Sequence, residues 1–296
     1  VEFVVPRSVV IGTDVFEEFV EDNELGKFAH EDHSNEEVNQ AFLEAEFTDG
    51  IVGEISVMLQ QTKWPLAIRS SSLLEDSSHQ PFAGVYATYM LANDHPDLEV
   101  RLRRLLEAIK LVYASTYHRG AKAYVAATPS TIEDERMAVV IQDLVGDEVN
   151  GRFYPMISGA ARSRNHYPVE PLVAEDGIAA ICIGLGRQVS AGGKCLRYSP
   201  GQPQRIHQFH SNQAILDTSQ RSFFAIPMEQ DDGAVHPTEE GNLLNLGLAE
   251  AEEDGCLTLV GSTYVVSDDR IVDSVAIDGG PRVVTFAPVL KHGRFP

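Results

Sequence analysis

Arg69 is followed by three hydroxyls, Ser70, Ser71 and Ser72, and then by two acids, Glu75 and Asp76. A guanidinium presents a fixed fork of N–H donors that fits phosphate oxygens. Serine hydroxyls and loop amides can complete an anion's shell. The chemistry open to such a run is the binding of an anion such as phosphate. The same run also reads as a Ser-rich surface loop, and no Gly-rich phosphate loop accompanies it. Two other runs invite chemistry. Gly184-Leu185-Gly186, after an apolar stretch, is the first half of a dinucleotide fingerprint, but Val189 stands where the third Gly belongs. His207 and His210 are three apart, a spacing that can ligate metal on a helix, but no Cys or third His joins them. They read better as solvent-facing or hydrogen-bonding side chains.

Elements must deliver these residues. The apolar run Trp64–Ile68 predicts a buried strand with Arg69 at its end. An aromatic-rich run, Val85–Leu91, follows Phe82-Ala83-Gly84, and Arg136–Val145 predicts a second buried strand. Thr13 or Asp14 caps a helix through Val15, Phe16, Phe19 and Val20. Ser34–Gln61 has helical periodicity, interrupted near Asp49-Gly50. Asp97 caps a long helix with the stripe Leu98, Leu102, Leu105, Ile109, Val112 and Tyr113, extending to about Tyr124. Arg101, Arg103, Arg104 and Lys110 fall on its outer faces as surface charge. Phe153–Ala161, Ile178–Gly186, Phe223–Pro227, Leu257–Val266 and Val283–Leu290 are predicted strands, the last broken at Pro288. Tyr198–Ile206, with Pro200, Gly201 and Pro203, reads as a linker.

The chain of 296 residues is one large domain or two small ones. It carries 44 acids against 23 bases, a net charge of −21. Such a field repels nucleic acid and anionic membrane, and admits a nucleotide only where local Arg and Lys override it. Acids from Glu17 to Glu46 crowd the first third and read as a solvated helical face. No apolar run approaches the ~18 residues of a membrane span, and the N-terminus has no basic region or cleavage pattern of a secretion signal. Cys182, Cys195 and Cys256 are widely spaced, which suits a reduced cytoplasm.

Ala67-Ile68-Arg69-Ser70-Ser71, then Glu75-Asp76, Ser78, Phe82-Ala83-Gly84 and Tyr89-Met90-Leu91 form a composite that resembles the nucleotide-binding domain of the phosphoenolpyruvate synthase and pyruvate phosphate dikinase family. Val5-Pro6, Val9-Val10-Ile11, Met137-Ala138-Val139-Val140 and Ser158-Gly159 extend the likeness over most of the first two hundred residues. The resemblance implies an α+β, ATP-grasp-like fold. It would have two lobes, 1–143 with the Arg-Ser-Ser phosphate loop and 144–296, with mixed or antiparallel sheets flanked by helices. It implies Mg-ATP as cofactor and Arg69 as the catalytic donor to phosphate oxygens, with Ser70 and Ser71 shaping the loop. Gln142, Asp143, Leu144 and Val145 would read the adenine edge, and Ser158-Gly159 would lie near the nucleotide. Family members phosphorylate a His on a separate domain and pass the phosphoryl group to pyruvate. The implied partners are thus ATP and the phosphohistidine and pyruvate-binding domains of one longer chain.

The family's nucleotide-binding Lys and its metal-binding Glu and Gln are expected outside this sequence, so the fragment alone is expected to be inactive. The chain departs from the pattern at three places. Gly120 occupies the place of an Arg, with Arg119 one residue early; Arg162-Ser163-Arg164 replaces a Thr; and Arg187 replaces an acid. These departures leave open a degenerate, non-catalytic interaction or regulatory module.

Overall fold

The computed structural model describes residues 3–72, 75, 84–128, 131–132 and 135–291. The chain divides into two compact units, Val1–Val145 with Ile226–Leu243, and Gly146–Ala225 with Leu244–Pro296.

The first unit runs β1 (Ser8–Ile11), α1 (Thr13–Asp22), α2 (Asn35–Glu44), α3 (Asp49–Gln60), β2 (Leu66–Ser72), β3 (Thr88–Leu91), α4 (Leu98–Ser115), α5 (Arg119–Val125) and β4 (Met137–Asp143). Its sheet has the order β1-β4-β2-β3, with antiparallel neighbours. One face packs on the helices: Leu66, Ile68, Tyr89, Met137, Val139 and Ile141 share a core with Phe16, Phe42 and Tyr113. Helix α2 begins where Ser34 accepts from the Glu37 amide while the Glu37 carboxylate accepts from the Ser34 amide, a reciprocal cap. The helical break falls at 45–48, so Asp49 and Gly50 open α3 rather than interrupt it. Asp97 caps α4 by accepting from the Glu99 amide at 2.9 Å. That helix stops at Ser115, short of Tyr124. The Ser115 hydroxyl donates to the Val112 carbonyl at 2.6 Å, and the Thr116 amide turns to Tyr113 instead, tightening the last turn.

Arg101 is a correction. It is buried, 6% exposed, not on the outer face of α4. Its Nη1 donates to the Leu59 and Thr62 carbonyls at 3.0 and 2.8 Å, satisfying the end of α3. Arg103 and Arg104 do lie outward, paired with Glu107 and Asp231. The segment 226–243 closes the free edge of β3, where Glu239 accepts from the Thr88 amide and Pro237 from the Tyr89 hydroxyl.

His118 supplies a pH test of this packing. Its Nε2 lies 2.8 Å from Asn39 Oδ1, and burial pushes the imidazole down to about 4, with Glu36 pulling the other way. Once unfolded it protonates near the ordinary 6.5. Between those values the unfolded chain binds more protons, so stability is lost as pH falls from 6.5 toward 4. The loss is roughly 3 kcal/mol at the acid end. Thermal melts of His118→Gln should depend less on pH across this window than melts of the parent; equal slopes would contradict the argument.

The second unit begins with a hairpin, β5 (Asp147–Val149) and β6 (Arg152–Tyr154), joined by Asn150-Gly151. Both turn residues have positive φ, 51° and 72°, the conformation that an Asn-Gly pair adopts readily. There follow β7 (Ser158–Arg162), β8 (Ile178–Cys182), α6 (Arg187–Ser190), β9 (Leu196–Tyr198), α7 (Asn212–Thr218) and β10 (Ser222–Pro227). Next come β11 (Leu244–Gly247), α8 (Leu248–Glu253), α9 (Leu257–Val260), β12 (Gly261–Val265), β13 (Arg270–Val272), β14 (Arg282–Val284) and α10 (Ala287–Leu290). Three sheets result: β11-β10-β6-β5, β13-β12-β14 and β7-β8-β9. Tyr154, Ile183, Leu196, Phe223, Leu257 and Phe286 anchor the core of this unit.

Several sequence expectations are corrected here. Phe153–Ala161 is not one strand: Pro155, which has no amide to donate, ends β6, and β7 belongs to another sheet. Leu257–Val260 forms a helical turn before β12, and Ala287 and Pro288 open α10 within the last predicted strand. The dinucleotide reading fails on topology. β8 is antiparallel to both neighbours, and α6 is four residues long, whereas that fingerprint needs a parallel strand–helix–strand unit.

Candidate functional site

Successive residues of a strand point to opposite faces, and residues directly opposite across a ladder share a face. On β2, Leu66 and Ile68 belong to the core, so Ala67, Arg69 and Ser71 lie on the other face. Arg69 stands between Val140 on β4 and Thr88 on β3, with Val10 of β1 beyond Val140. Ser71 is opposite Ala138, and Gln142 is opposite Ala67. The sequence-predicted residues Arg69, Ser71 and Gln142 are therefore brought to one sheet face, away from the unit's helical core. Arg69 is exposed, and its side chain makes no hydrogen bond or ion pair among the described residues. The Gln142 amide donates to the Ser8 hydroxyl at 3.0 Å.

Ser70 lies on the opposite face, where its hydroxyl donates to Glu75 at 2.9 Å; the Glu75 amide in turn donates to the Ser72 hydroxyl. These bonds tie Glu75 to the end of β2. Asp76, Ser78, Phe82 and Ala83 lie outside the described residues. Behind Ser72, Glu135 and Tyr86 are both buried, at 4% exposure. Burial pushes the Glu135 carboxyl up, against the hydroxyls of Ser72 and Tyr86, and burial together with the Glu135 charge pushes the Tyr86 phenol up. Sequence reasoning did not single out this polar cluster, because Glu135 and Tyr86 are 49 positions apart and no motif links them.

At the end of β4, the Asp143 carboxylate accepts from Arg7 at 3.1 Å, and its amide donates to the Arg7 carbonyl. The Leu144 amide donates to Pro65, and its carbonyl accepts from the Trp64 indole at 2.6 Å. Val145, 67% exposed, follows with no hydrogen bond among the described residues. Of the four residues expected at an adenine edge, Val145 is the one whose backbone donor and acceptor both remain open among the described residues.

Ser158 and Gly159 lie on β7 of the second unit. Ser158 Oγ donates to the Gly184 carbonyl at 2.5 Å, and a Cβ at Gly159 would run into the Ala180 carbonyl. Both therefore have a packing role within their own sheet. Arg119 pairs on the surface with Asp32, and Arg164 with Glu175. His210 Nδ1 lies 3.4 Å from the His207 carbonyl. Among the described residues no group of three or more His, Cys, Asp or Glu could hold a metal ion. No helix of the described residues is long and apolar enough to cross a membrane.

Residues 1–245 match the family described as the pyruvate phosphate dikinase AMP/ATP-binding domain. A protein of Bacillus subtilis (strain 168), described as the uncharacterized phosphotransferase YvkC, is 26% identical over 193 residues. That alignment covers 64% of this chain and 20% of the relative, so the chain spans about a fifth of the length of the curated relative it matches.

Proposed function

Because the chain belongs to the pyruvate phosphate dikinase AMP/ATP-binding domain family, with an α+β, ATP-grasp-like fold, we propose that it presents ATP for phosphorylation of a His on a separate domain. The onward step is transfer of that phosphoryl group to pyruvate, giving phosphoenolpyruvate. The observation that carries this reading is the Arg69 guanidinium, uncompensated among the described residues on a sheet face it shares with Ser71 and Gln142. In the proposed mechanism Arg69 donates to phosphate oxygens, holding the transferring group in line and offsetting the charge that develops. Ser71 and Gln142 offer further donors on the same face, and the Val145 backbone can take the adenine edge. Mg-ATP is the proposed form of the nucleotide; no group of metal ligands is found among the described residues, and no step is assigned to the metal. The division into lobes 1–143 and 144–296, and a role for Ser158-Gly159 near the nucleotide, belong to the same proposal.

A second reading, a degenerate regulatory module, is favoured by Arg119, which neutralises Asp32 rather than standing free, and by Gly120 at the family's Arg position. Incubating the protein joined to its phosphohistidine domain with radiolabelled ATP separates the two. An acid-labile, alkali-stable protein label is expected; tight ATP binding without any label would favour the module.

A further inference from the structure

The second unit contains a cavity of about 530 Å³, a size typical of small-molecule sites. It is lined by the edge strand β9, by Asn165, Tyr167 and Val169 of the loop after β7, and by Asp217 and Thr218 of α7. The chain has a net charge of −21, yet this wall is cationic. Lys194, Arg197 and Arg205 line the cavity with His207, and Asp217 is the one carboxylate among the lining residues. That carboxylate accepts from Gln213 at 2.9 Å, while Lys194 donates to the Asp217 backbone carbonyl at 2.6 Å. Among the described residues the side chains of Arg197, Arg205 and His207 make no hydrogen bond or ion pair. Two guanidiniums without a counter-charge beside a concave space fit an oxyanion.

The wall is also braced. The Gln208 side chain accepts from the Arg197 amide at 3.1 Å and donates to the Cys195 and Thr218 carbonyls, tying β9 to α7. The apolar and aromatic part of the lining is Leu172, Ile178 and Tyr198, joined by Tyr167 and Val169, which are 89% and 58% exposed. Exposed guanidiniums and the exposed Tyr167 ring in one lining, with the half-buried Tyr198 ring, match a ligand with an anionic head and a planar body.

We propose that this cavity binds a small aromatic phosphate, the phosphate held by Arg197 and Arg205 and the ring set against Tyr167 and Tyr198. The site is built wholly within the second unit and is independent of the Arg69 reading.

Phenyl phosphate, which carries only the two features, is the probe. Calorimetric titration of the 296-residue chain should give saturable binding of one equivalent, weakened by added salt. The Arg69→Ala variant should bind it equally, and Arg197→Ala/Arg205→Ala at least tenfold more weakly. Both arginine side chains are exposed and unpaired among the described residues, so this double variant should keep the parent's circular dichroism and melting curve. Phenol and inorganic phosphate should each bind at least tenfold more weakly than the probe. The proposal is overturned if the parent does not bind the probe, if the double substitution changes nothing, if Arg69→Ala alone abolishes binding, or if inorganic phosphate binds as tightly.

Discussion

In the protein joined to its phosphohistidine domain, Arg69→Ala is expected to lower phosphoryl transfer from ATP by about 10²–10³-fold, the usual loss when one preorganised donor to developing charge is removed. The same substitution should move folding stability by less than ~0.5 kcal/mol, because the side chain is exposed and bonds to nothing among the described residues. Few positions pair so large a functional effect with so small a structural one. Arg69→Lys should recover only part of the activity, since an ammonium keeps the charge but loses the planar fork. Steady-state kinetics beside urea unfolding of the same variants checks both halves. Wild-type turnover in Arg69→Ala would remove the residue from the mechanism, and a large stability loss would make its role structural.

The second large effect is expected at Asp254. Its side chain is fully buried and accepts from three groups of the β5–β6 hairpin: Asn150 Nδ2 at 2.7 Å, Arg152 Nη1 at 3.1 Å and the Tyr154 hydroxyl at 2.7 Å. Removing the carboxylate leaves Asn150 and Tyr154 without this acceptor and Arg152 with only Glu253, 3.6 Å away, and costs about 1–3 kcal/mol. Asp254→Ala should therefore shift the urea midpoint of the second unit strongly, with no direct effect on residues of the Arg69 sheet face. A loss below about 1 kcal/mol, the scale of a surface pair, would mean that water replaces the carboxylate. Nothing in the sequence marks Asp254, because its three partners lie a hundred or more positions earlier.

That separation describes what could be read in advance and what could not. The strand carrying Arg69, the β4 strand and the capped helix from Asp97 were legible because an apolar run or a 3.6-residue stripe is a local signal, although β2 does not end at Arg69 as expected but runs on to Ser72. The opposite facing of Ser70 and Ser71 was also available from strand alternation. Treating both as one phosphate loop overlooked it. Arg101 could not be placed, since a charged residue on an apolar helix is normally solvated, and its carbonyl partners at Leu59 and Thr62 come from another helix end. The second unit was read poorly for a related reason. Its strands are three to six residues long and interrupted by Pro155, Gly261 and Pro288, so periodicity has little length over which to show. The cation-lined cavity joins residues from 165 to 218, a convergence that only the fold makes visible.

The central claim is that the open face of the β1-β4-β2-β3 sheet, with Arg69 on it and Val145 at its end, receives the nucleotide. Heteronuclear NMR of the chain during titration with ATP tests this most directly. The account predicts a saturable shift of the Arg69 guanidinium resonance together with slowed amide exchange at Val145. ATP that binds while leaving both signals unchanged would place the nucleotide elsewhere and contradict it.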